Sequence, residues 1–261
     1  MKYEHIYSPA YTNSNEPMRW AVSQFPDASR VLTVAASGDQ AMFHKLAGAT
    51  HIDTFDFTPY ARVIQDIKVL ACGSKSHDEY IAMLKTLNRI KRADRIEKLD
   101  CVSDILPRLP NESTKIMAAA ARFSMDLCGA GAGITSYPYN IPTPDEYARL
   151  GREISEPFNF VFSDIATLGT KIDAQYDLIN TSNIFDWVLP GQNKMYDILT
   201  GLTGLLDVGG RIIYLPQYGY YNFPGLKLNC MVGDTERRLE YVETRWLCNP
   251  RAEMIVLQRT R

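Results

Sequence analysis

Val31-Leu-Thr-Val-Ala-Ala-Ser-Gly-Asp-Gln40 and, soon after it, His51-Ile-Asp-Thr-Phe-Asp56 decide the fold. The first stretch reads as a short buried strand, because apolar and β-branched residues run together up to a turn of small residues. Ser37 then offers a helix cap, with Gln40 as its capping-box partner. The helix they open carries Met42, Phe43, Leu46 and Ala47 at core-facing spacing and stops at Gly48. The second stretch is a strand ending at Asp56, after which Thr58-Pro59 starts another helix, with threonine as cap and proline in the first turn. Strand, turn, helix, strand, acid, helix is the opening of a doubly wound α/β sheet.

Downstream, Ser76-His-Asp-Glu79 and Thr143-Pro-Asp-Glu146 are further helix starts, and the pattern from Ser76 to Cys128 is helical throughout. Strands resume with Phe158 to Ser163, ending at Asp164, then Tyr176 to Asn180. A helix near Lys194–Leu206 leads through Asp207-Val-Gly-Gly210 into a strand at Arg211–Leu215. Arg237–Trp246 and Glu253–Gln258 read as an antiparallel pair closing one edge. The expectation is a single Rossmann-like domain over residues 1–261 with a mostly parallel, seven-stranded sheet. Residues 75–155 form a helical insertion, expected to lie over the strand ends as a lid, with Gly129-Ala-Gly-Ala-Gly133 read either as a plain flexible loop or as the hinge of that lid.

Composition excludes several classes. The 261 residues are 46% hydrophobic and 22% charged, which suits one buried core. The net charge of −2 gives no sign of a nucleic-acid surface, and the expectation is a small-molecule substrate with no nucleic acid. No run approaches about 18 apolar residues, so no integral membrane contact is expected. The five cysteines (72, 101, 128, 230 and 248) form no CxxC pair, and the four histidines (5, 44, 51 and 77) show no ligand spacing. A cytoplasmic protein with reduced thiols and no metal follows. A homodimer stays open.

In an open α/β sheet, ligands sit beyond the carboxyl ends of the strands. Ala36, Ser37 and Gly38 are small enough to let backbone approach a ligand, and the following helix N-terminus favours a carboxylate. Asp56 lies 18 residues beyond Gly38, near the separation of about 20 at which an acid meets ribose hydroxyls. On that reading its loss costs ligand affinity and leaves the melting of the free protein almost unchanged. Phe57 is placed to flank an adenine, and Asp164 to accept from the adenine amino group. Each feature also has a plainer reading: a common turn, a surface acid, a turn cap. Their succession along the strand ends favours the ligand.

Leu205-Leu-Asp-Val-Gly-Gly-Arg-Ile-Ile-Tyr214 is similar to the segment preceding the fifth strand of class I S-adenosylmethionine-dependent methyltransferases. The GxGxxG string usual in NAD enzymes is missing, which favours S-adenosylmethionine over NAD. Tyr11-Thr-Asn-Ser-Asn-Glu-Pro17, the Val31–Ala41 stretch, Asp56 with Pro59, and Ser182-Asn-Ile-Phe-Asp-Trp187 resemble a narrower family. That family is the S-adenosylmethionine:diacylglycerol 3-amino-3-carboxypropyl transferases of betaine-lipid synthesis. The resemblance implies a donor site at Ser37, Gly38, Asp39, Asp56 and Asn183, and attack at Cγ of the amino-acid arm with release of methylthioadenosine. Two versions fit: 3-amino-3-carboxypropyl transfer to a small acceptor, or cyclisation by the donor's own amine to azetidine-2-carboxylate. A small-molecule methyltransferase and a non-catalytic adenosyl-ligand sensor are the alternatives. Catalytic candidates are Tyr218 and Tyr220, which follow the fifth strand with Tyr214 and Tyr221, and Asp186. A ring face there would stabilise a sulfonium, and a phenol would position or deprotonate an amine. An amphipathic rim of the core explains the same tyrosines.

Overall fold

Runs of alternating or continuous apolar residues become eight strands of one sheet in the computed structural model, which describes residues 14, 16–90, 93–122, 126, 140–187, 192–216, 223, 225–246 and 253–261. Five strands are parallel: β1 (Arg30–Val34), β2 (His51–Asp56), β3 (Asn159–Phe162), β4 (Tyr176–Asn180) and β5 (Leu206–Tyr214). Their order, β3-β2-β1-β4-β5, is that of a doubly wound fold whose direction of winding reverses between β1 and β4. Beyond β5 the sheet continues antiparallel through β8 (Glu253–Arg259), β7 (Thr235–Trp246) and β6 (Lys227–Val232).

The expected seven strands are thus eight. The extra one is β6, which turns back through Gly233 (φ +59°) to pair with β7. Its burial is weak, with one buried residue in six, so its sequence carries little alternation to read. The Gly209-Gly210 pair lies inside β5 and not before it. Between the β4–β5 pairs Tyr176↔Leu206 and Leu178↔Arg211 the register shifts, and β5 absorbs the surplus as a bulge. A Cβ on Gly210 would stand 2.8 Å from the Tyr176 carbonyl oxygen, so only glycine fits there.

Side chains alternate across the sheet. Val31, Leu178, Ile213 and Val256 face one side, packed with α1 (Met18–Ser23) and α2 (Asp39–Leu46). Leu32, Ile179, Ile212 and Leu257 face the other, under α9 (Gln192–Gly204). α3 (Pro59–Cys72) is buried along almost its whole length. α4 (His77–Ile90), α5 (Ala93–Ile96), α6 (Asn111–Arg122) and α7 (Pro144–Glu153) enclose it and share one apolar cluster with it. The Ser76–Glu79 and Thr143–Glu146 capping boxes form as expected, and Tyr147 donates its hydroxyl to the Ala71 carbonyl at 2.8 Å. This helical segment reaches the carboxyl edge through Asn140, whose amide donates to the Ser14 carbonyl at 2.7 Å. The proposed hinge, Gly129–Gly133, lies outside the described residues. No helix among the described residues is long and apolar enough to cross a membrane.

Candidate functional site

Two turns meet where the winding reverses. After β1, Ala36 adopts φ +44°; after β4, Ser182 adopts φ +52°. These are the two non-glycine residues with positive φ among those described, and such conformations cost of order 1–3 kcal/mol and cluster at ligand sites. Gly38 (φ +81°) follows as the N-cap of α2, so the Ser37–Gln40 capping box does not form. Ser37 instead donates its hydroxyl to Asp39 Oδ2 at 2.8 Å.

Asp39 is a hub. Its Oδ2 also accepts from the Ser14 amide at 2.7 Å, and its Oδ1 pairs with Lys68 Nζ. Lys68 is fully buried in the middle of α3, so the ion pair sits inside the protein. Pairing and hydrogen bonding together make such burial tolerable.

Asp56 stands at the end of β2 as predicted, but its oxygens are engaged. Oδ2 accepts from the Ala36 amide at 2.9 Å and Oδ1 from the Thr58 amide at 3.0 Å. It therefore braces the β1 turn against the start of α3. Burial pushes its pKa up to about 6, against the opposing pull of those backbone amides. The expectation that its loss would barely change the melting of the free protein does not fit this bonding. Phe57 beside it is 54% exposed, as a residue on the rim would be. Asp164 is exposed and its Oδ1 accepts from the Ala166 amide at 2.8 Å, so in this conformation it caps a turn.

On the β4 side, Asn180 is fully buried. Its Oδ1 accepts from the Ser182 amide, and its Nδ2 stands 3.1 Å from His44 Nε2. Burial drives the His44 pKa down to about 3, which keeps the ring neutral. Asn183 is half-buried, and its carbonyl accepts from the Asp186 amide at 2.9 Å. Asp186 in α8 (Ile184–Trp187) accepts from the hydroxyl of Tyr214, which packs edge-on against Phe185 and Phe223. Tyr218 and Tyr220, like Tyr221, lie outside the described residues.

The sequence reading missed Glu16. The segment Ser14–Glu16 crosses the two turns, bonded to Asp39 on one side and to Ser182 on the other, where the Ser182 hydroxyl donates to Glu16 Oε1. Glu16 is 2% exposed, and burial followed by the nearby Asp186 charge pushes its pKa up to about 7, opposed by Ser182, the Asn183 amide and Gln40. Its Oε2 meets no hydrogen-bond donor among the described residues, nor does Gln40 Oε1. Asn15-Glu16-Pro17 before a short helix gives no local sign of burial. The sequence reading missed Lys68 as well, whose signal is a lone lysine in the run Ile67–Cys72. A groove of mixed polarity, lined by Ile172, Asp173, Asp197, Met231, Val232 and Arg237 among others, lies at the opposite edge, near the amino ends of β4 and β5.

No protein-family profile and no curated protein matches the chain. Solved structures do resemble it in outline. They include TrmN from Thermus thermophilus (13% identity, TM-score 0.40, 92% of this chain and 48% of that one), so the chain spans about half of TrmN's length. They include the rRNA methyltransferase AviRa from Streptomyces viridochromogenes (12%, 0.44, 97% and 87%). They also include the N-methyltransferase NodS from Bradyrhizobium japonicum in complex with S-adenosyl-L-homocysteine (7%, 0.41, 95% and 90%). None of these three reaches a TM-score of 0.5, and activity does not transfer from them. No comparison supports the closer resemblance to the 3-amino-3-carboxypropyl transferases. One expectation is corrected. A small-molecule substrate and no nucleic acid were inferred from net charge, yet structures of this outline include an enzyme named for rRNA. Net charge sums the whole chain and does not report the field at one surface.

Proposed function

We propose that the chain is an S-adenosylmethionine-dependent transferase whose donor lies across the β1–β4 reversal. One observation carries the reading. Two strained turns and a pair of buried, unpartnered acceptor atoms converge where an open α/β sheet binds its ligand. Asp56 keeps lone pairs beyond its two backbone bonds, enough to receive a ribose hydroxyl, and Phe57 offers an apolar wall for the base.

The sulfonium of such a donor is already activated, because attack at an adjoining carbon expels a neutral thioether. The protein's task is to hold the donor in one conformation, exclude water and align the nucleophile. The finer reading is attack at Cγ. It is supported by the β1 turn, where Asp39 and Ser14 close the start of α2 that a glycine-rich loop would leave open, so that the amino-acid arm takes a different course. Asp186, Tyr218 and Tyr220 are the proposed acceptor-side residues, and α4–α7 the proposed lid.

The test is to incubate the purified chain with S-adenosylmethionine and separate the nucleosides. Methylthioadenosine above the enzyme-free background supports attack at Cγ. Azetidine-2-carboxylate beside it identifies the donor's own amine as nucleophile. S-adenosylhomocysteine in its place moves the reading to methyl transfer. Binding without consumption would make the chain a sensor, and no binding at all would refute the proposal.

A further inference from the structure

A donor held at this site brings an α-ammonium, which needs acceptor atoms and, by preference, a negative charge. Four carboxylates stand near the two turns, and three already have partners or the roles proposed above. Asp39 is paired with Lys68 and also accepts from Ser14 and Ser37. Asp56 accepts from the Ala36 and Thr58 amides. Asp186 accepts from Tyr214. Glu16 accepts from Ser182 with one oxygen; the Asn183 amide and the Gln40 side chain stand close enough to favour its charged form, yet its other oxygen meets no donor at hydrogen-bonding geometry among the described residues. Gln40 Oε1, from the first turn of α2, is likewise buried and unpartnered. Leaving buried acceptors unsatisfied is costly, and native proteins do it rarely.

From this arrangement we infer that Glu16 Oε2, together with Gln40 Oε1, receives the α-ammonium of the donor. The inference rests on the reading of the site as an S-adenosylmethionine site and assigns it a residue. It gives the Ser14–Glu16 segment a purpose: it carries a carboxylate to a place where neither β1 nor β4 supplies one free.

The electrostatics give the inference a signature. Glu16 faces Asp186 from α8, Ser182 and the Asn183 amide from the β4 turn, and Gln40 from α2. With its pKa raised to about 7, Glu16 holds a proton in a large fraction of free molecules near neutrality. A cation beside Oε2 favours the carboxylate, so ligand binding expels that proton. Affinity for a ligand with the ammonium therefore rises with pH through 7.

The experiment compares two probes by calorimetry: S-adenosylhomocysteine, which carries the ammonium, and methylthioadenosine, which lacks the amino-acid arm. Glu16→Gln should weaken S-adenosylhomocysteine at least tenfold and leave methylthioadenosine within about twofold. Titrations at pH 7 in buffers of different ionisation enthalpy should show proton release with S-adenosylhomocysteine in the parent and far less in the variant. If Glu16→Gln does not fold, Glu16→Asp takes its place; its withdrawn carboxylate should cost S-adenosylhomocysteine affinity and spare methylthioadenosine. Equal losses for both probes, or no loss for either, overturns the assignment while the adenosyl site stands. A parent chain that binds neither probe overturns the donor reading, and this assignment with it.

Discussion

Replacing Gly38 with alanine sets a methyl group against the backbone of α3. The added Cβ would lie 3.0 Å from Gln65 Cα and 3.3 Å from Gln65 Cβ, contacts that no side-chain rotation relieves. The residue also holds φ +81°, where a Cβ costs about 1–2 kcal/mol. Overpacking adds about 1–3 kcal/mol, and the stiffer unfolded chain returns about 0.4–1 kcal/mol. The net loss is about 1–5 kcal/mol, which for a chain of this length lowers the melting temperature by roughly 2–4 °C per kcal/mol. Gly48 provides the control. It too has positive φ, +109°, but an added Cβ meets nothing within 4 Å, so Gly48→Ala carries the strain without the clash. Urea denaturation of both variants should show Gly38→Ala the more destabilised by at least about 1 kcal/mol. Equal destabilisation would show that α2 and α3 yield to the extra methyl, and would refute the close approach as the reason for glycine.

Asp56→Ala should destabilise the free protein by about 1–3 kcal/mol, because the Ala36 and Thr58 amides lose their acceptor; calorimetric melting without ligand checks it, and an unchanged melting temperature would return Asp56 to a purely ligand-binding role. Lys68→Met should cost about 3–5 kcal/mol by leaving Asp39 charged and unpaired in the interior. Adding Asp39→Asn should restore part of that loss, and a urea double-mutant cycle showing plain additivity would refute the pairing. Burial raises the pKa of Asp66 to about 6, so the folded state holds a proton that the unfolded chain has released above pH 4. Its contribution therefore falls as pH rises from about 4 to 6 and is level above. Asp66→Asn should gain on the parent across that window in melting scans, and a constant difference from pH 4 to 7 would count against the shift.

The sheet core was readable because strand periodicity and helix starts are local. β1, β2 and β4 lie where their apolar runs put them, and β7 and β8 form the antiparallel pair expected of Arg237–Trp246 and Glu253–Gln258. Capping boxes were read with mixed success. At Ser76 and Thr143 the side chains cap as their spacing predicts, but at Ser37 the left-handed Gly38 takes over the cap and frees the serine for Asp39. The candidate site was legible in position, not in bonding. Asp56, Phe57 and the Ala36–Asp39 turn stand at strand ends, whereas the bracing role of Asp56 depends on amides 20 positions before and 2 after it. Glu16 lies in the Tyr11–Pro17 stretch that carries the family resemblance, but its role could not be read, since its partner Ser182 lies 166 residues away. Nothing in a local pattern announces such a contact.

The place of β8 governs how the sheet can be assembled. It is the latest of the described strands in the chain, yet it lies inside the sheet, pairing with β5 from Arg211↔Gln258 to Tyr214↔Ile255 and with β7 from Leu239↔Arg259 to Trp246↔Glu253. Until it arrives, β5 presents an open edge and the β6–β7 hairpin, held only against α9 through Arg237 and the Thr203 and Gly204 carbonyls, has no strand of the parallel sheet to pair with. Synthesis proceeds from the other end, so the half-built sheet waits with two exposed edges, the kind of template on which other chains pair. A substitution that slows the docking of β8 would prolong that wait, and its damage would appear as aggregated protein made during expression.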